Sequence, residues 1–143
     1  MSKKIIIGAI SVLGIAIIGL VGYKLLNNSN SKTKEEKAEE IFQKFSDGLK
    51  ELEIEYSEIY IDVKDFDVIA ARMYKSGEKN VAIYCLDKNS KDYSKYEKDG
   101  YISSKKDSNL IVSGIVENGY LFYMEENFPK NVEVYELFNK ITK

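Results

Sequence analysis

The chain has 143 residues, a formal net charge of −2, no histidine, one cysteine and a single arginine. Without histidine there is no Ser-His-Asp or Cys-His nucleophile, no imidazole base and almost no route to a zinc site. One cysteine cannot close an internal disulfide, so a hydrophobic core has to hold the fold.

Residues 5–23 form an uninterrupted uncharged run between Lys4 and Lys24. At 1.5 Å per residue, such a helix with its flanking lysine stems spans roughly the ~30 Å hydrocarbon core of a bilayer. The run exceeds a signal-peptide h-region, no small-x-small cleavage site closes it, and the only cysteine, Cys85, is too distant for lipid attachment. The expectation is an uncleaved membrane anchor over residues 1–26. Lysines flank it on both sides, yet the short tail bearing Lys3 and Lys4 favours a cytoplasmic N-terminus and an extracytoplasmic domain. The small residues Gly8, Ala9, Ser11, Gly14, Ala16, Gly19 and Gly22 never fall four apart, so the close-packing dimer motif is absent.

Residues 27–34 (NNSNSKTK) read as a polar linker reaching only ~15 Å, which confines any partner to the membrane surface. Residues 35–143 are long enough for one domain with its own core. Setting aside Lys3, Lys4 and Lys24 leaves 18 basic against 23 acidic residues, a net of −5. With Arg72 its only arginine, this domain lacks the clustered positive charge that nucleic-acid binding requires.

Thr33 followed by Glu36 forms a capping box ahead of Ala38, Ile41, Phe42, Phe45, Leu49 and Leu52, an apolar stripe at helical spacing. The stripe is short and Gly48 interrupts it, which favours a core-facing helix over a coiled-coil stalk. From Ile54 the period changes to two: Ile59, Ile61 and Val63 alternate with Tyr60 and Asp62, a strand pattern. Residues 67–75 fit a strand paired with VAIYCL through a turn at 76–80, although Phe66, Ile69, Ala70 and Met73 also suit a helix capped by Asp65 and stopped by Gly77. Cys85, inside VAIYCL, reads as a small apolar filler.

The polar stretch at 87–100 is a loop or one short helix. Asn118-Gly119 between two apolar runs predicts a type I′ hairpin pairing Val116 with Leu121 and Ile115 with Phe122. Ile111, Ile115, Phe122 and Met124 should then line one face, and Val112, Val116, Leu121 and Tyr123 the other. A terminal helix follows, with Asn131 as its cap and Val134, Leu137, Phe138 and Ile141 as its stripe. The predicted fold is α+β: an antiparallel sheet of four to five strands packed with an N-terminal and a C-terminal amphipathic helix.

The central strands are apolar on both faces, so either helices cover both or one face is a partner surface. Tyr56, Tyr60, Tyr74, Tyr84, Tyr120 and Tyr123 fall in or near the strands and form the candidate interaction surface, tyrosine being large, rigid and amphipathic. Other constellations fail. Ser103-Ser104-Lys105-Lys106 matches S-x-x-K without the companion motifs. Asp62, Asp65 and Asp67 offer oxygens, but an EF-hand loop counted from Asp62 would place Asp67 at its glycine position and Met73 at its glutamate position. Glu125 and Glu126 are adjacent and point to opposite sides of a strand. No catalytic residue, cofactor site or metal site is assigned.

The favoured function is a non-enzymatic, membrane-tethered extracytoplasmic domain binding a protein or cell-envelope partner near the bilayer, as an immunity or exclusion protein or an accessory envelope subunit would. Two alternatives stay open: a histidine-independent enzyme acting on lipid or cell-wall precursors, and a structural oligomer such as a homodimer through the apolar sheet.

Overall fold

A computed structural model describes residues 4–5 and 33–143. The expected membrane-spanning run and its flank Lys24 lie outside the described residues, save for Lys4 and Ile5, which form a two-residue strand, β1. Among the described residues, no helix is long and apolar enough to cross a membrane.

Helix α1 (Lys34–Glu51) begins at the predicted capping box: Glu36 N donates to Thr33 Oγ1 at 3.0 Å and Thr33 N to Glu36 Oε1 at 2.9 Å. Ala38, Phe42, Phe45 and Leu49 are buried along its inner stripe. Gly48 does not weaken that stripe, because Leu137 packs directly over it; a Cβ there would lie 2.4 Å from Leu137 Cδ1. The glycine lets two helices approach closely.

The strand expected from Ile54 to Val63 shortens to β2 (Ser57–Tyr60). At one end Ile54 N still serves the helix terminus, donating to Leu49 O at 3.0 Å. At the other, Asp62 Oδ1 accepts from Lys64 N at 3.0 Å and Phe66 N donates to Val63 O at 2.9 Å, folding a turn. The ambiguous stretch is a strand, β3 (Val68–Ser76), and it pairs antiparallel with β4 (Lys79–Leu86) across a tight turn containing Gly77 at φ +62°. Helix α2 (Tyr93–Asp99) follows, closed by Gly100 in the left-handed region. Then come β5 (Tyr101–Ser103), β6 (Leu110–Ser113), β7 (Ile115–Glu117), β8 (Tyr120–Met124) and helix α3 (Asn131–Thr142).

The main sheet is antiparallel with order β2-β3-β4-β8-β7, and a small sheet has order β1-β6-β5. The Asn118-Gly119 hairpin has the predicted register, Val116 opposite Leu121 and Ile115 opposite Phe122. Its first arm is shorter than expected. The chain bends at Gly114, sending Leu110–Ser113 into the small sheet, so Ile111 does not continue the face of Ile115. Gly114 lies so close to β8 that a Cβ would sit 2.3 Å from the Phe122 carbonyl oxygen. Helix α3 also starts one residue earlier than read: Lys130, at φ +53°, takes the cap position and Asn131 is the first helical residue. Buried Phe128 and the bond from Lys130 Nζ to Leu52 O at 2.5 Å fix this entry.

Both sheet faces are covered internally. Helices α1 and α3 pack on Tyr74, Val81, Ile83, Cys85 and Phe122. Ile61, Phe66, Tyr93, Ile102 and Val112 pack on Ala71, Met73, Ala82, Tyr84, Leu86 and Leu121 on the other side. This second layer explains why the strands lack polar alternation. Because the Gly114 backbone cannot withdraw from Phe122, Gly114→Ala should destabilise the domain by about 2 kcal/mol. A lowered urea midpoint with unchanged slope would show it, and an unaltered midpoint would contradict the close approach.

Candidate functional site

Arg72 lies on β3 between Ala70 and Tyr74 on the side facing α1, and it is only 4% exposed. A guanidinium in that position needs neutralising partners, since burying an ion costs several kcal/mol even after relaxation. Two carboxylates supply them. Glu58 Oε2 on β2 accepts from Nη1 at 2.7 Å, and Glu39 Oε2 on α1 accepts from Nη2. Two rings sandwich the planar group: Tyr60 on β2 at 3.8 Å and Phe42 on α1 at 4.5 Å from centroid to Cζ. Such cation–π contacts contribute about 0.5–2 kcal/mol each. The register places Tyr60 opposite Arg72 and Glu58 opposite Tyr74, so alternation brings both side chains to the arginine's face.

Burial works against the Arg72 charge, but Glu39, then Tyr74, Glu58 and Tyr60, raise its pKa above the ordinary value. One cation between two carboxylates leaves an excess negative charge. That excess lies toward solvent, with the Glu39 side chain 52% exposed and that of Glu58 22%.

An aromatic cluster continues from the clasp. Tyr74 donates to Phe42 O at 3.2 Å, its ring lies 4.9 Å from Phe45 and 5.8 Å from Tyr56, and the Tyr56 hydroxyl bonds Ser46. Beside it a shallow open groove runs along Lys50, Glu53, Ile54, Glu55, Tyr56, Ser57 and Glu58. Among the described residues strand β2 is the terminal strand of the main sheet and pairs with β3. The site is therefore the terminal strand of the described sheet, held in place by a buried arginine.

The six tyrosines do not share one surface. Tyr56, Tyr60 and Tyr74 gather at the clasp, and Tyr120 lies under α3, edge-on to Phe138 at 6.4 Å. Tyr84 and Tyr123 occupy the opposite sheet face. Tyr74 and Tyr84 are buried, while the other four keep partial exposure. The clasp residues Glu39 and Glu58 were not legible as a site in the sequence. The available signal was Arg72 itself, the only arginine of the chain, set in an apolar strand.

The acidic candidates diverge. Asp62 serves its own turn, Asp65 faces Lys106 at 3.6 Å, and Asp67 accepts from Ser90 Oγ at 2.5 Å and Tyr96 OH at 3.4 Å. Glu125 Oε2 accepts from Asn80 N and Nδ2, clasping two strand ends. Ser104 Oγ accepts from Lys106 N at 3.1 Å. Cys85 is buried and its thiol is pushed up to about 11, by desolvation first and then by Asp87 and Glu35, so it is protonated at neutral pH. No group of three or more metal-capable side chains converges among the described residues. Comparison with protein-family models, with curated proteins and with solved structures returned no match.

Because Glu58 is the better buried partner, a double-mutant cycle of Arg72→Met with Glu58→Gln should give a coupling of about 1–2 kcal/mol, and one with Glu39→Gln less than about 1 kcal/mol. Equal couplings would contradict the asymmetric clasp. The tyrosines make a second prediction. Burial raises Tyr74 and Tyr84 well above the usual phenol range, and raises Tyr96 and Tyr120 to about 12. Above pH ~10 the folded state retains protons that the unfolded chain has released, so stability falls as pH rises from there. Absorbance at 295 nm should show a cooperative step of phenolate formation coincident with loss of ellipticity. Independent titration of all eleven tyrosines near their ordinary value would refute it.

Proposed function

We propose that the protein is a membrane-tethered, extracytoplasmic binding domain without catalytic activity. On this reading it engages a protein or envelope ligand close to the bilayer, as an immunity or exclusion protein or an accessory envelope subunit does. The observation that supports the binding role is the position of β2 at the end of the main sheet among the described residues, with half-buried Tyr56 and Tyr60 at it. An edge of this kind is a template for another strand unless something covers it. Rigid aromatic rings next to it add contact area at low entropic cost. The dispersal of Asp62, Asp65, Asp67 and Glu125 among separate structural bonds favours binding over acid–base chemistry.

Location rests on the sequence alone, on residues 5–23, whose length and apolarity suit a bilayer span, and on the short linker after them; the pairing of Lys4–Ile5 with Leu110–Ile111 in the small sheet stands against a span that begins at Ile5.

The test combines topology and contact. A reporter fused at Lys143 should be active only outside the cytoplasm; activity confined to the cytoplasm overturns the proposed location. A photocrosslinking residue at Glu55 should form discrete adducts in the native membrane, whereas one at Lys91 should not. Adducts at Lys91 alone would remove the β2 edge from the binding role.

A further inference from the structure

The hairpin turn encoded by Asn118-Gly119 is also a pair of residues able to react with each other. Glycine offers an unhindered peptide nitrogen, which can close a ring on the neighbouring side-chain amide. The N–H proton passes to a base in water, the bond from Gly119 N to Asn118 Cγ forms, and the Cγ–Nδ2 bond breaks with release of ammonia. Water then opens the cyclic imide at either carbonyl, leaving aspartate or isoaspartate. The two reacting groups are placed unequally. Asn118 is exposed, whereas Gly119 is buried at φ +92° and its N donates to the Tyr93 hydroxyl at 2.7 Å. We infer that Asn118 is a site of spontaneous deamidation whose rate Tyr93 sets, by holding the attacking nitrogen in a hydrogen bond.

Neighbouring contacts reinforce that hold. Gly119 O accepts from Leu86 N at 2.8 Å, so the glycine is fixed on both sides. The stem of Lys88 covers it; a Cβ there would lie 3.1 Å from Lys88 Cδ. Tyr93 opens α2 and is only 9% exposed, so its hydroxyl cannot leave without moving the helix. Ring closure requires the nitrogen to give up the proton it shares with Tyr93 and turn toward Asn118 Cγ, which confines the reaction to a locally opened turn. The product would not be neutral for the fold. Glu97 and Glu117 line one groove with Asn118, so a carboxylate at 118 adds negative charge where it is already present. Isoaspartate also inserts an extra backbone carbon, which is incompatible with the pairing of Val116 with Leu121 and Glu117 with Tyr120.

The full chain, purified in detergent micelles, is incubated in mildly alkaline buffer, and conversion at residue 118 is followed by mass spectrometry of its digest. A synthetic peptide of residues 116–121, VENGYL, gives the rate of the unprotected pair. The native chain should convert at least about tenfold more slowly than the peptide. Tyr93→Phe keeps the packed ring but removes the acceptor, and should convert about fivefold faster than the native chain. Tyr96→Phe removes a hydroxyl from the same helix, one that bonds Asp67 instead, and should leave the rate unchanged. Amide hydrogen exchange at Gly119 should be slow in the native chain and faster in Tyr93→Phe.

An absence of conversion at residue 118 in both the native chain and Tyr93→Phe, over a period that consumes the peptide, overturns the modification site. Conversion of the native chain at the peptide's rate, or Gly119 exchange as fast as in the peptide, overturns the role of Tyr93 without any variant having to fold. An unchanged rate in Tyr93→Phe does the same. Equal acceleration by Tyr93→Phe and Tyr96→Phe would assign the effect to a general loosening of α2, and so also sinks the inference.

Discussion

A guanidinium inside a protein core cannot be left to itself, and that constraint organises this domain. Arg72 is stacked between Phe42 and Tyr60 and bonded to Glu39 and Glu58, so one side chain of β3 fixes both the helix above and the strand beside it. Without the clasp β2 would be a four-residue edge strand of sequence SEIY with little apolar area to hold it. With it, the strand is latched by its own Glu58 and Tyr60. The arrangement ties register to charge: a one-residue slip of β2 would turn both side chains to the other face and leave the buried cation half-neutralised.

The second constraint is geometric. A sheet apolar on both faces must be covered twice, and this chain does so with two helices on one side and a mixed layer on the other. Gly114 makes the second layer reachable. By letting the backbone touch the Phe122 carbonyl, it turns one apolar run into two strands of different sheets. With both faces spent on the core, the sheet presents its edges, and the solvent-facing surface is that of the helices and loops. This redirects the argument from the tyrosines. The six tyrosines are divided between the two faces, and on the proposed reading Tyr56 and Tyr60 matter because they stand at the terminal strand of the described sheet.

What was legible in the sequence was what short-range chemistry dictates. The Thr33–Glu36 box and the Asn118-Gly119 turn encode their geometry within four residues, and both appear at the predicted positions with the predicted partners. Strand β3 was readable through its hairpin partner. Three features were not. The break at Gly114 depends on the backbone of β8, which approaches only in the folded sheet. The cap at Lys130 depends on Phe128 entering the core and on a carbonyl of residue 52. The clasp joins residues 39, 58 and 72, and no local pattern relates them. Glutamates at exposed-looking positions of a helix and a strand look like solvated faces until a third element supplies the cation between them.

The proposed location and the proposed edge bear on each other through concentration. A four-residue strand can offer only a few backbone hydrogen bonds, each contributing about 0.5–1.5 kcal/mol net, and salt screens its charges. In free solution an edge this short binds weakly. Confinement changes the requirement, because two partners held at one membrane by short linkers meet at effective concentrations in the millimolar range. A linker reaching only ~15 Å favours a partner within the same thin layer above the bilayer. On the proposed reading a weak edge suits such a setting, since it would engage when the partner arrives at the membrane and release it readily.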